Sequence, residues 1–490
     1  PVLTSVLYMA HEDESEDQRM SAVKLLGELA ETFGAELCKQ FAAPEAVSLA
    51  DDPQFRVRKS TAYYLGKICR ATPADYAEER LLPVFMKLAK DEIWGVRKSC
   101  AEALPDMVAA FRGNADLVSL FETLANDNSR WVRNAAFANL GPLIANLNAD
   151  EVTPQLLQLY ASMAGAAMMS PGDNEISTFC AFNFPAVVVT VGRERWPELR
   201  DAYEELTKDI QWKVRRTLAF SLHHIMEVVG PELSSRDLVP AFNVFVKDLD
   251  EVKVGVLQNL STIISLLPDE DRQELVTVLT DLEMETDNWR FRAFLATQIA
   301  QLSRLYPAEV LQAELHPILI KLMQDPVAEV RGGAAQQVGG FMARLDELGV
   351  DWAEEFIEEV QDMAVDTIFQ QRIVFTEAAR SVAVGDAASQ ARYREHFASR
   401  VETLAADPVP NVRRRAADLL KTLVADLATP ASRALVSELA ADADRDVRLA
   451  AGAVGGASAA TPKSQPQAES PRAGPAARVA EPIFVDETSV

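Results

Sequence analysis

The chain has 490 residues, 25% charged and 48% hydrophobic, with a formal net charge of −25. That composition excludes a disordered polymer, and no apolar run approaches the roughly 20 residues a membrane-crossing helix needs. The negative balance argues against a general binder of phosphate backbones, which needs clustered Lys and Arg; it suits a basic partner surface, or solubility alone.

The N-terminus, PVLTSVLYMAHEDE, has no basic stretch ahead of its apolar residues, so no signal peptide is read there. It starts without Met inside an apolar-periodic segment, which predicts a fragment of a longer chain. Cys38, Cys69, Cys100 and Cys180 are too few and too scattered to staple a chain of this length, and no C-x-x-C occurs. They read as buried free thiols of a reducing compartment, and the expected location is cytoplasmic, nuclear or both.

Along the chain one phrase recurs. A basic residue follows a turn at Arg19, Arg58, Arg97, Arg133, Arg215, Lys253, Arg292, Arg331, Arg372, Arg413 and Arg448. The step is 35 to 41 residues, except for one gap of 82, which holds a degenerate unit near residues 161–196. Most of these positions have an Asp four to six residues earlier: Asp52, Asp91, Asp127, Asp209, Asp248, Asp287, Asp325, Asp366, Asp407 and Asp442. Twelve units at this period predict an all-α solenoid, an armadillo-type superhelix, over residues 1–456. Each unit reads as two helices. Leu117, Leu120, Phe121 and Leu124 mark one apolar stripe, and Val132, Ala136, Leu140 and Leu143 the next. Prolines early in first helices (Pro83, Pro240, Pro317) fit a helix start. The turn Asp is expected to accept from the second helix's free N–H groups, and Gly66, Pro105, Gly141 and Gly230 to close second helices.

In the gap, PGDN at 171–174 predicts a turn, and FCAFNFPAVVVTVG at 179–192 a second helix with Pro185 near its start. Residues 457–490 are Pro-, Ala- and Ser-rich and are expected to be a disordered tail. The tail ends in EPIFVDETSV, a short apolar cluster that could dock on a partner. Stacked 8–10 Å apart, twelve units would span roughly 100 Å.

The D-x-x-x-x-V-R spacing with early Pro resembles the HEAT repeat, which implies a hydrogen-bonded Asp–Arg ladder between neighbouring repeats. Four tryptophans share one phase of the repeat: Trp94 (IWGVRK), Trp131 (SRWVRN), Trp212 (QWKVRR) and Trp289 (NWRFRA), with Phe55 similarly placed. They lie on one edge of the solenoid. They either shield the ladder or form a row of interface anchors, and both roles are compatible.

Chemistry is not legible. His11, His223, His224, His316 and His396 show no metal-ligand spacing, and neither a phosphate-binding G-x-x-x-x-G-K-[ST] loop nor G-x-S-x-G occurs. A non-enzyme without cofactor is expected. Longer phrases go further. DIQWKVRRTLAFSLHHIMEVVGPELSSRDLVPAFNVFVKDLDEVKVGVLQNLST at 209–262, FCAFNFP at 179–185, DNSRWVRNAAFANLGP at 127–142 and DNWRFRAFLATQI at 287–299 resemble the regulatory subunit 1 family of protein phosphatase 4. The likeness covers about residues 15–345. A more distant relative is the A scaffold subunit of protein phosphatase 2A, which shares the W-x-V-R turns.

The resemblance implies a non-catalytic subunit. It would bind a phosphatase-2A-class catalytic subunit and recruit phosphoprotein substrates or adaptors, with the two-metal hydrolysis left to the partner. In the scaffold relative the turn edge holds the catalytic subunit. Here that edge comprises Trp94, Arg97, Arg130, Trp131, Arg133, Trp212, Lys213, Arg215, Trp289, Arg290, Arg292, Arg331, Arg372 and Arg413. The alternatives are an acidic transport receptor of the importin-β type, or another HEAT-repeat protein–protein scaffold such as the A subunit of protein phosphatase 2A. Neither nucleic acid nor membrane is an expected partner.

Overall fold

The structure, a computed structural model, describes residues 2–11, 14–165, 175–423 and 427–452. Every regular element among them is helical, and the helices form twelve successive pairs. The chain is an α-solenoid. Residues 171–174 and 457–490, expected as a turn and a tail, lie outside the described residues.

Second helices stack on one another without interruption. Glu16–Glu28 packs on Phe55–Ala71, that on Trp94–Ala110, then Arg130–Ala145, Glu175–Val191, Trp212–Val229 and Asp250–Leu257. The same layer continues through Trp289–Ala296, Ala328–Ala335, Phe369–Ala383 and Pro410–Thr422 to Arg445–Ala451. Each apolar stripe is buried between neighbours: Leu117, Leu120, Phe121 and Leu124 meet Val132, Ala136, Leu140 and Leu143 in one continuous core. Neither helix of a pair could bury that stripe alone, so stacking holds the repeats together.

Several expected boundaries move. The early prolines mark kinks inside first helices rather than their starts. Ala74–Arg80 precedes the break at Leu81, and Pro83 sits at the front of Leu82–Leu88. Before Pro240 and Pro317 the chain makes one wide turn, at Ser234–Leu238 and Leu311–Leu315, because proline has no N–H to continue the regular ladder. Pro105, Pro142 and Pro185 lie inside second helices, so Pro185 is ten residues past the start of Glu175–Val191. Gly66 and Gly141 are also interior. A Cβ on Gly141 would lie 2.3 Å from the Cβ of Asn183 in the next repeat, so this glycine is required by close helix approach. Of the four expected terminators only Gly230 closes its helix, at φ 82°.

The degenerate unit keeps its helices and changes its glue. Ser177 stands where the arginine would. In compensation Tyr160, Phe184, Tyr203 and Trp196 pack ring against ring, with centroids 5.2–6.0 Å apart. The Tyr160 hydroxyl donates to the Cys180 carbonyl at 2.6 Å, and Trp196 Nε1 donates to Asp237 at 2.8 Å.

Candidate protein-binding edge

The turn between the two helices of a repeat is built by its Asp. Asp91 Oδ1 accepts from the Ile93 N–H and Asp127 Oδ1 from the Ser129 N–H, two residues on. The same bond recurs at Asp52, Asp209, Asp325, Asp366, Asp407 and Asp442. The acceptor therefore serves the capping residue just ahead of the helix, not the free N–H groups of the helix itself. It fixes the bend that delivers the next residue, Trp94 and Trp212 among them, as the first residue of the second helix.

The other face of that carboxylate takes the arginine of the preceding repeat. Arg97 donates from Nε and Nη2 to Asp127 at 2.7 and 2.9 Å, and its Nη1 reaches back to the carbonyls of Asp91 and Glu92. Equivalent two-pronged pairs join Arg19–Asp52, Arg58–Asp91, Arg215–Asp248, Arg292–Asp325, Arg372–Asp407 and Arg413–Asp442. The ladder implied by the repeat resemblance is present. The hydrogen bond from Arg97 is the largest influence holding the Asp127 carboxyl below its ordinary range; Arg215 does the same for Asp248 and Arg413 for Asp442.

This geometry corrects the arginine half of the expected edge. Arg97, Arg215, Arg292, Arg372 and Arg413 spend their guanidinium groups on the next repeat. Arg133 and Arg331 bond their own turn, through the carbonyls of Asp127 and Asn128 and of Asp325 and Pro326. A planar fork that fits carboxylate and carbonyl at once is used up by the scaffold.

What faces solvent is the aromatic half and its flanking cations. Trp94 is 47% exposed, Trp131 50% and Trp212 36%; Ile210, beside Trp212, is 90% exposed. Trp289 is half-buried against the core. Trp94, Trp212 and Trp289 are the first residues of their helices and Trp131 the second of Arg130–Ala145, one position later than the shared phase expected, so none has a preceding turn to fold against. Trp94 and Trp131, one repeat apart, stack with centroids 6.5 Å apart at 29°. Arg130 lies 4.7 Å over the Trp131 ring and Arg290 4.9 Å over Trp289. Arg130, Lys213 and Arg290 are exposed. Sequence reasoning missed how the two residue types divide, because Arg97 and Arg130 differ only in helical phase. No group of His, Cys, Asp and Glu among the described residues is arranged to hold a metal ion.

With that edge defined, the relatives can be set beside it. Residues 180–282 match the sequence model of the protein phosphatase 4 regulatory subunit 1 middle domain, and residues 81–111 that of the HEAT repeat. Serine/threonine-protein phosphatase 4 regulatory subunit 1 of Mus musculus is 35% identical over 328 residues, covering 64% of this chain and 34% of the relative. The Homo sapiens protein is 38% identical over 273 residues, covering 54% and 28%.

The chain resembles protein phosphatase 4 regulatory subunit 1.

It spans about a third of the length of these phosphatase 4 relatives, 34% and 28%. Among solved structures, importin β superposes with a TM-score of 0.56 at 13% identity, over 92% of this chain and 58% of that one. Kap95p, in a structure with RanGDP, gives 0.59 at 14% identity, over 91% and 60%. At such identities the likeness is one of fold alone.

Proposed function

We propose that the chain is a non-catalytic regulatory scaffold that binds the catalytic subunit of a phosphatase-2A-class enzyme, phosphatase 4 first among them. In this reading the solenoid also brings phosphoprotein substrates or adaptors to that subunit, in the cytoplasm, the nucleus or both. The observation that carries the proposal is the turn edge. Exposed Trp94, Trp131 and Trp212 recur within the first two residues of second helices in a solenoid related to phosphatase 4 regulatory subunits. Large aromatics beside arginine are the residues on which interface energy concentrates. The contact is therefore assigned to Trp94, Arg130, Trp131, Trp212, Lys213 and Arg290, with the ladder arginines beneath as their support.

The test is binding of purified phosphatase 4 catalytic subunit to the full chain by calorimetry. Trp131→Ala combined with Trp212→Ala is expected to weaken binding at least about tenfold, with helicity and melting unchanged. Binding that survives both substitutions would move the contact elsewhere. A chain that captures nuclear-import cargo and no phosphatase would favour the transport-receptor alternative.

A further inference from the structure

A second surface, independent of the turn edge, lies on the solvent side of the second-helix layer. Elsewhere that layer is laced by ion pairs across repeats: Lys67 with Glu28, Arg70 with Asp106, Arg415 with Glu377 and Arg380 with Asp418. In repeats four and five the pattern stops. Residues 134–145 and 176–191 contain no Asp, Glu, Lys or Arg, in a chain that is 25% charged. The two helices that carry them pack directly together, and the second packs on Trp212–Val229.

Matching the buried Val132, Ile176 and Val214 sets the three helices in register. Phe182 then falls between Ala138 and Phe220, and Ala186 beside Pro142. Phe182 is 58% exposed and Val189, two turns on, 62%. Ala186 between them is exposed as well. Large apolar side chains singly exposed need no explanation, but a contiguous patch across three helices does. The patch has charged borders: Glu102 and Asp106, already paired with Lys98 and Arg70, on one side, Glu227 on the other, and Arg216 lying 4.9 Å over the Phe220 ring toward the turns.

We infer that this face of repeats four to six docks an α-helix of a partner protein through an uncharged, apolar stripe, with basic residues at the margins of that helix. A charged partner side chain laid on this face would be desolvated with nothing to pair with, which excludes an acidic or phosphorylated segment at its centre. Basic margins match the exposed Glu227 and the net charge of −25. Three second helices about 10 Å apart present roughly 20 Å of surface, the length of about 14 helical residues.

The probe is a fluorescein-labelled 14-residue helical peptide with Leu at i, i+3, i+4 and i+7 and Lys and Gln elsewhere, compared with its scrambled sequence. Anisotropy with the full chain is read at about 0.15 M and about 0.5 M salt, so that nonspecific attraction to an acidic protein is screened out of the second reading. The ordered peptide is expected to bind more tightly than the scrambled one at both salts. Phe182→Glu with Val189→Glu should weaken it at least about tenfold, Phe182→Leu should retain it, and Trp131→Ala should leave it unchanged. Both glutamates replace exposed residues, so melting is expected to match the parent chain. Equal binding of the scrambled peptide, equal binding by the double variant, or no binding at all would overturn the inference. So would a parent chain that is dimeric while the double variant is monomeric, since a second copy would then cover the face.

Discussion

Arg97 shows how one side chain joins two repeats. Its guanidinium closes its own turn through two carbonyls and crosses to Asp127 in the next repeat, and both partners are largely buried. Arg97→Ala removes the fork and leaves Asp127 unpaired, which should destabilise the array by about 2 kcal/mol. Denaturant unfolding followed by circular dichroism reads that loss. The ladder also sets a response to acid. Asp127, Asp248 and Asp442 titrate below the ordinary carboxylate range in the folded chain. A depressed carboxylate contributes stability above its unfolded value, near 3.9, and loses it as pH falls through the folded value. Thermal stability should therefore be flat from about pH 8 to pH 5 and fall below about pH 4, and Arg97→Ala, which removes the main cause of the Asp127 depression, should lower stability near neutral pH and make the acid fall shallower. The thiols behave oppositely: burial raises all four, Cys180 to about 12, so native protein should react slowly with thiol reagents and quickly once unfolded.

Between elements, close approach takes over from charge. The contact of Gly141 with Asn183 draws Arg130–Ala145 onto Glu175–Val191 beside the repeat whose arginine is replaced by Ser177. Gly141→Ala puts a methyl into that contact and should cost about 1–3 kcal/mol, read as a lower denaturation midpoint. The residue alone does not reveal this. Gly66, Gly141 and Gly230 look alike in sequence, but only Gly230 has the positive φ of a terminator. The prolines teach the same lesson: Pro105, Pro142 and Pro185 all lie inside second helices, where tertiary packing overrides their tendency to end a helix.

Across the molecule the ladder is unequal. Three successive rungs join repeats one to four, through Arg19, Arg58 and Arg97. At the seventh repeat the rung is missing: Lys253 lies 5.4 Å over the Phe291 ring instead of forking onto a carboxylate. A solenoid transmits order only between neighbours, so a weak junction stays local. Amides of Asp250–Leu257 and Trp289–Ala296 should exchange with deuterium faster than those of Phe55–Ala71 and Trp94–Ala110, as hydrogen-exchange mass spectrometry would show. Equal protection would mean that the packed second helices, not the rungs, set the local stability.

The sequence by itself determined the repeat, its period, the all-helical class and the phase of each turn, because a stripe repeated every 35–41 residues must be buried by its neighbours whatever the details. The longer phrases at 127–142, 179–185, 209–262 and 287–299 also pointed to the phosphatase 4 regulatory relatives. Only the tertiary structure decided which edge residues face out. Arg97 and Arg130 are both arginines of a turn, yet one meets a carboxylate 30 residues away and the other lies over an exposed indole. Likewise Phe182 and Phe184 share one apolar phrase, but one is exposed and the other fully buried. That partition depends on where the neighbouring repeat lies, and composition and spacing along one chain do not encode such a distance.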